Sequence, residues 1–421
     1  HLSLQKDKRN HIELRGKIKE SDTKLFAISD MVLQIKDAGS IQISGSCDTL
    51  DSCQINSKSA SLNLKPISEL FNNPKYAQLI QSNSLQNILI QNRWQHGILS
   101  NQGQFSWEKL NYQLINPQPK KKAVSIDAGK ATFQGLTFSS QHYWHLDSAN
   151  ISTENNKDSS INITSASLQP QGWKVPLQLQ HSHLWLPITQ IVLDQQQSMP
   201  QIMGDGVLTG HIVLKHSTEN NQHISFDLDA SQSEFSWLGY SKAKNIPLTL
   251  QGKVTWQDGD SKPNQLQASI HLADSYANIN FKPSHLSVQD MSIDFNHLKS
   301  QKITFAQPLQ PWHGSIAGSI NIDLQQQKLL STQLQLQQFG IKDHYLTGEV
   351  SLLNHQWVIP QLSWQFEKNN MQLTTNEKAQ VNITAEQLDT HALYSILQTP
   401  FTATGQLTVQ KVILPLGILH Q

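Results

Sequence analysis

Between Leu248 and Phe295 the sequence alternates apolar and polar residues through several short runs, and no other feature limits the fold so tightly. Period-two alternation puts each residue class on its own side of a strand, whereas a helix needs apolar residues three and four apart. Leu248, Leu250, Val254 and Trp256 share one face of the first run, and Thr249, Gln251, Lys253 and Thr255 take the other. The turn-forming string Asp258-Gly259-Asp260-Ser261-Lys262-Pro263 ends that run. Leu266, Ala268, Ile270 and Leu272 repeat the pattern against Gln267, Ser269 and His271, followed by Ala277, Ile279 and Phe281, then Val288, and then Met291, Ile293 and Phe295. Ile316, Ile320, Ile322 and Leu324 continue the apolar phase. Links this short join antiparallel neighbours, because parallel strands need a long crossover, so the local expectation is a meander.

A weak repeat extends the pattern along the chain: Gly, a polar residue, an apolar residue, a small or polar residue, an apolar residue. It stands at Gly39–Ile43, Gly103–Trp107, Gly252–Trp256, Gly318–Ile322, Gly348–Leu352 and Gly405–Val409. The irregular spacing excludes a solenoid of fixed period. Gly in the apolar phase of a strand permits a sharp bend, which is how a wide sheet coils. The alternative is that any β protein of this length shows such strings by chance. Hydrophobic residues make up 37% and charged residues 15%, with Gln, Asn, Ser and Thr solvating the polar face. That profile favours one elongated sheet over two or three ordinary domains.

Helical spacing is confined to Ile67–Ile80, interrupted by Pro74, and Ala385–Leu397, where Leu388, His391, Ala392 and Leu393 form a stripe. Each could cap an open sheet end. Soft subdivisions are expected near 116–122 and 155–160.

Lys+Arg and Asp+Glu balance at 32 each, so no net field draws nucleic acid to the whole chain. The basic run Lys120, Lys121 and Lys122 follows Pro117 and Pro119 and reads as a solvated turn, the rival being contact with anionic headgroups. Cys47 and Cys53 make a poor zinc half-site, and a local disulfide in an oxidising compartment is the better reading, although two free thiols would look the same. The chain opens on His1 without a Met, carries no apolar run of membrane-spanning length and stops at Gln421 within a strand-like pattern. The expectation is an excised segment whose signal peptide or anchor lies outside it.

No phosphate-binding Gly-rich loop, nucleophile elbow, His-Glu-x-x-His or cluster of carboxylates on a shared face is present, which argues against an enzyme. His181 and His183 would project to one side of a strand, and His142 with His145 is a second pair; without an acidic or Cys neighbour both read as solvated histidines, with no metal expected. Asn150, Asn162 and Asn382 head accidental glycosylation sequons. The ten Trp are spread along the chain and read as scaffold; a nucleic-acid binder would interleave them with Lys and Arg.

The Gly-led strands, the Leu62–Leu70 turn Leu-Asn-Leu-Lys-Pro-Ile-Ser-Glu-Leu and the phrase Ile246–Trp256 resemble the periplasmic AsmA-like superfamily, most of all its YdbH-like branch. The resemblance is one of texture over most of the chain, without a diagnostic motif. It implies a periplasmic segment anchored in the inner membrane outside the sequence given, phospholipid acyl chains as cargo, an outer-membrane lipoprotein as partner, no cofactor and no catalytic residue.

The sequence is therefore read as all-β: an elongated, curled antiparallel sheet, groove-like, with an apolar inner face and a few short helices, carrying phospholipid between membranes. A structural or adhesive β-sandwich or β-helix is the rival, since alternation alone does not separate the two. An outer-membrane barrel is a third reading, weakened because no aromatic girdles are evident.

Overall fold

The computed structural model describes residues 2–5, 11–21, 24–70, 83–118, 121–139, 143–154, 159–169, 172–184, 202–217, 221–257, 263–307, 309–354, 356–366, 369–377, 380–389 and 405–413. These residues are almost all in strands, and they fall into two units, His1–Trp237 and Leu238–Gln421. The division lies at neither expected subdivision, both of which sit inside the first unit. The segment 116–122 belongs to a long hairpin, with 119–120 outside the described residues, as are 155–158.

The first unit contains β1 (Leu2–Gln5), β2 (His11–Ser21), β3 (Lys24–Ile35), β4 (Gly39–Thr49), β5 (Ser52–Asn63), helix α1 (Leu64–Leu70), β6 (Ser84–Gln95), β7 (Ile98–Gln118), β8 (Lys121–Phe138), β9 (Trp144–Thr153), β10 (Ser160–Gln169), β11 (Gly172–Ser182), β12 (Met203–Asp205), β13 (Leu208–Ser217), β14 (Asn221–Asp229) and β15 (Glu234–Trp237). From β1 to β11 each strand pairs antiparallel with the next; β11 then pairs with β13 and β13 with β14. β12 and β15 form a small side ribbon.

The second unit contains β16 (Tyr240–Lys242), β17 (Leu248–Gln257), β18 (Gln265–Leu272), β19 (Ser275–Lys282), β20 (His285–Asp294), helix α2 (Phe295–Ser300), β21 (Trp312–Asp323), β22 (Lys328–Ile341), β23 (His344–Leu353), β24 (Gln356–Val358), β25 (Leu362–Phe366), β26 (Asn369–Thr375), β27 (Val381–Asp389) and β28 (Gly405–Ile413). β17 to β23 form a strict meander, β23 pairs with both β24 and β25, and β25 to β27 continue it. β28 departs from the pattern by pairing parallel with β27, across a connection, 390–404, long enough for a crossover.

Bulges keep the apolar phase on one face. Asp30, Asn87, Ser165, His181, Asp290 and Gln338 all have positive φ at sites where the pairing register shifts. One extra residue re-phases the strand, so the apolar sequence steps by three, as in Ile28 to Met31, Val288 to Met291 and Leu336 to Phe339. Gly318 and Gly348, at φ near +130° and +137°, stand in the same apolar phase, where an added Cβ would meet the neighbouring strand's backbone.

Burial is concentrated at one strand end of the second unit. Ile246, Leu298 and Ile303 form a cluster with Leu272, Ile293 and Phe305, which seats α2. Asp294 caps that helix, its Oδ1 accepting from the His297 amide at 2.9 Å. Leu336, Ile359 and Leu362 form a second cluster, and Phe366, Met371 and Ala385 a third.

Two local expectations are corrected. Phe295 is the first residue of α2 and not the last of a strand, because Asp294 accepts the amide that a helix start leaves free. Residues 385–389 extend β27 instead of opening a helix: Val381, Ile383 and Ala385 already alternate, and pairing with β26 and β28 outweighs the helical spacing that begins at Leu388. Residues 390–397 lie outside the described residues, as do 71–80 of the first expected helix, of which Leu64–Leu70 is helical.

Candidate functional site

Cross-strand partners in an antiparallel ladder share a face, so the register shows whether the expected apolar row exists. In the second unit it does. Leu250 faces Ile270, and Ile270 faces Ala277; Val254 faces Leu266, which faces Phe281, which faces Leu286, which faces Ile322. Ala268 faces Ile279, Ile279 faces Val288, and Val288 faces Ile320. Ile293 faces Ile316, and Met291 faces Gly318. The opposite face carries Gln251, Lys253, Gln267, Ser269, Asn278, Asn280, Ser287 and Gln289.

Exposure separates these residues. Leu248, Met291 and Phe295 are buried, at the end of the strands that α2 occupies. Leu250, Val254, Trp256, Leu266, Ile270, Leu272, Ile279, Phe281, Ile293, Ile316, Ile320, Ile322 and Leu324 are half-buried. Leu324 stands in the turn after β21, its amide donating to the Ser284 carbonyl at 3.0 Å, so it flanks the row without belonging to a strand.

The first unit repeats the design. Ile90, Gly103, Phe133, Ala149, Ile163, Leu177, Ile212 and Phe226 are successive cross-strand partners from β6 to β14. The polar phase beside it, from Gln91 and Gln102 through Gln104, Thr132, Asn150, Asn162 and Gln178, lines an open cavity of about 680 Å³. Its amides bond to one another, Gln102 Nε2 to Gln91 Oε1 at 2.5 Å and Asn150 Nδ2 to Asn162 Oδ1 at 2.6 Å.

Trp94, Leu99, Phe138, Trp144, Leu168, Trp173 and His216 are also successive partners, at one end of β6 to β13 and on the apolar face. Trp94 is 37% exposed and Phe138 40%, while Trp144 and Trp173 are half-buried. The next row inward belongs to the polar face and runs Arg93, Ser100, Thr137, His145, Ser167, Lys174, Lys215 and His223. It contains no carboxylate. At the other end of these strands Trp107, Ile161, Leu179 and Leu208 are buried, and Trp107 Nε1 donates to the Asp127 carbonyl at 2.7 Å.

Reading every Trp as dispersed scaffold is thereby corrected: three of them, with Phe138, fall in one row. Hairpin lengths scatter that row through the sequence. The available signal was position, since Trp94, Phe138, Trp144 and Trp173 each stand within a few residues of a strand end.

Cys47 and Cys53 are cross-strand partners in β4 and β5 and are joined as a disulfide. The absence of an acidic neighbour at the two histidine pairs is also corrected. His145 Nε2 lies 3.0 Å from Asp147 Oδ1, two residues along the same strand face, and His183 Nδ1 lies 2.9 Å from Asp205 Oδ1, brought in from β12. His142 lies outside the described residues, within which no group of three His, Cys, Asp or Glu could hold a metal ion. Exposed Arg15 is held above its ordinary pKa, chiefly by its hydrogen bond to Glu13.

The fold and this surface define a class: an all-β protein of almost wholly antiparallel strands, each unit of which carries an apolar phase that is largely half-buried among the described residues. No protein-family model matches the chain, and no curated protein does either. Among the described residues no helix is long and apolar enough to cross a membrane.

Proposed function

We propose that this chain is a non-enzymatic periplasmic conduit that moves phospholipid between the inner and outer membranes, its acyl chains lying on the apolar face. The observation that carries the reading is the half-burial of Ile270, Ile279, Phe281 and Ile320, which stand in three adjoining apolar rows of one face. A sandwich would bury such a row against a second layer. Exposed methylenes are costly in water, and each acyl CH₂ brought onto them gains about 0.8 kcal/mol, so a lining with no shaped pocket still holds a chain. The amide and hydroxyl face opposite is suited to water. The texture shared with the AsmA-like superfamily supports the same reading, together with an inner-membrane anchor outside this sequence and an outer-membrane lipoprotein partner.

The test pairs native mass spectrometry of the purified chain with the variant Ile279→Asp. The wild-type chain is expected to carry phospholipid. The variant is expected to melt as wild type by circular dichroism while its lipid content falls sharply, because a carboxylate on an open face hydrates once the lipid leaves. Unfolding of the variant, or a wild-type chain free of lipid under gentle conditions, would sink the conduit.

A further inference from the structure

The rim of the first unit that bears Trp94, Phe138, Trp144 and Trp173 has the chemistry of a lipid–water boundary. Indole combines an apolar ring with an N–H donor, and Trp therefore gathers where hydrocarbon gives way to polar headgroups. Here the aromatic row is half-exposed, continuous with the apolar face, and spans six inter-strand spacings, roughly 30 Å. One residue inward, on the opposite face, stand Arg93, Lys174 and Lys215, all exposed, and long enough to reach around a strand end. His145 and His223 share that row, and the carboxylate beside it, Asp147, is held by His145. The other end of the same strands is buried. The two ends therefore differ in kind: one is shut, and the other offers rings to ester groups and cations to phosphates.

We propose that this rim is the headgroup seam of the conduit, along which anionic glycerophospholipids lie with their acyl chains on the apolar face, their glycerol esters at the four rings and their phosphates toward Arg93, Lys174 and Lys215. This rests on the lipid reading above. It adds a direction of entry and a preference for anionic headgroups, since each cation near an anionic lipid favours it roughly fivefold over a neutral one.

Two measurements on the full chain test it. In the first, the chain is equilibrated with equal amounts of phosphatidylglycerol and phosphatidylethanolamine and the bound ratio is read by mass spectrometry. The combined variant Arg93→Gln, Lys174→Gln, Lys215→Gln is expected to lower that ratio at least fivefold, with an unchanged circular-dichroism melt. In the second, the chain is loaded with phosphatidylcholine brominated either near the ester or near the chain terminus. Tryptophan emission is expected to be quenched more by the near-ester label, and the excess to vanish in the Trp94→Phe, Trp144→Phe, Trp173→Phe variant. An unchanged lipid ratio, together with quenching that favours the terminal label or ignores these substitutions, overturns the seam while leaving the conduit standing. A wild-type chain that takes up neither lipid removes the conduit and the seam together.

Discussion

Both units carry a group of aromatic side chains on the apolar face but put it to different use. In the second unit one group of them meets at the strand end that α2 occupies, while Trp256 and Phe281 stand toward the other end: Phe339 lies 4.7 Å from Trp312 and 6.0 Å from Phe295 between ring centroids, and His344 stacks on Phe366 at 4.1 Å. Trp364 completes that corner by donating from Nε1 to His344 Nδ1 at 3.2 Å. In the first unit Trp94, Phe138, Trp144 and Trp173 stand in single file along a half-exposed end, and the buried end is made by Trp107 and aliphatic residues. One arrangement is a core and the other is an edge. A ring packed on rings contributes mainly dispersion and area, whereas a ring in a row keeps one side available to a ligand.

The sharpest way to break this comparison is to charge the core of the second unit. Met371 is fully buried between Phe366 and Ala385, and Met371→Asp is expected to cost on the order of 3–5 kcal/mol, abolishing or strongly lowering the thermal transition. A melt like wild type would mean that this cluster is open. In the first unit, Trp107→Ala should cost about 3–5 kcal/mol through a large cavity and an orphaned Asp127 carbonyl, and Trp94→Ala about 1 kcal/mol. Equal losses in urea melts would erase the distinction between the two ends. A smaller effect is expected at the hairpin of β4 and β5. Reduction of Cys47–Cys53 closes no long loop and should cost about 2 kcal/mol, and alkylation without reductant should leave the intact mass unchanged.

The alternation from Leu248 to Ile293 was legible because each strand there carries one apolar and one polar phase, and its register brings together the residues that share a phase. The step from Val288 to Met291 was also visible, though only the structure gives its cause, a bulge at Asp290. Phe295 misled because one more alternating residue looks the same whether the strand continues or a cap intervenes. Ala385 misled in the opposite sense, since a good helix former was needed to fill a small position facing Met371. The aromatic row was hidden for a topological reason: cross-strand neighbours sit at sequence separations set by hairpin length, and no fixed spacing carries the signal.

The order of pairing bears on how such a chain is made. Most strands bond to the one synthesised just before them, so a chain emerging amino end first could complete each ladder as its second strand appears, without waiting for distant sequence. β28 is different. Its partner β27 lies beyond the 390–404 connection, and closing that span costs about 1 kcal/mol more than closing a hairpin of a few residues. The growing edge of the second unit is therefore Val381–Asp389 until β28 arrives, a row of unsatisfied amides and carbonyls that a chaperone or a neighbouring chain could borrow.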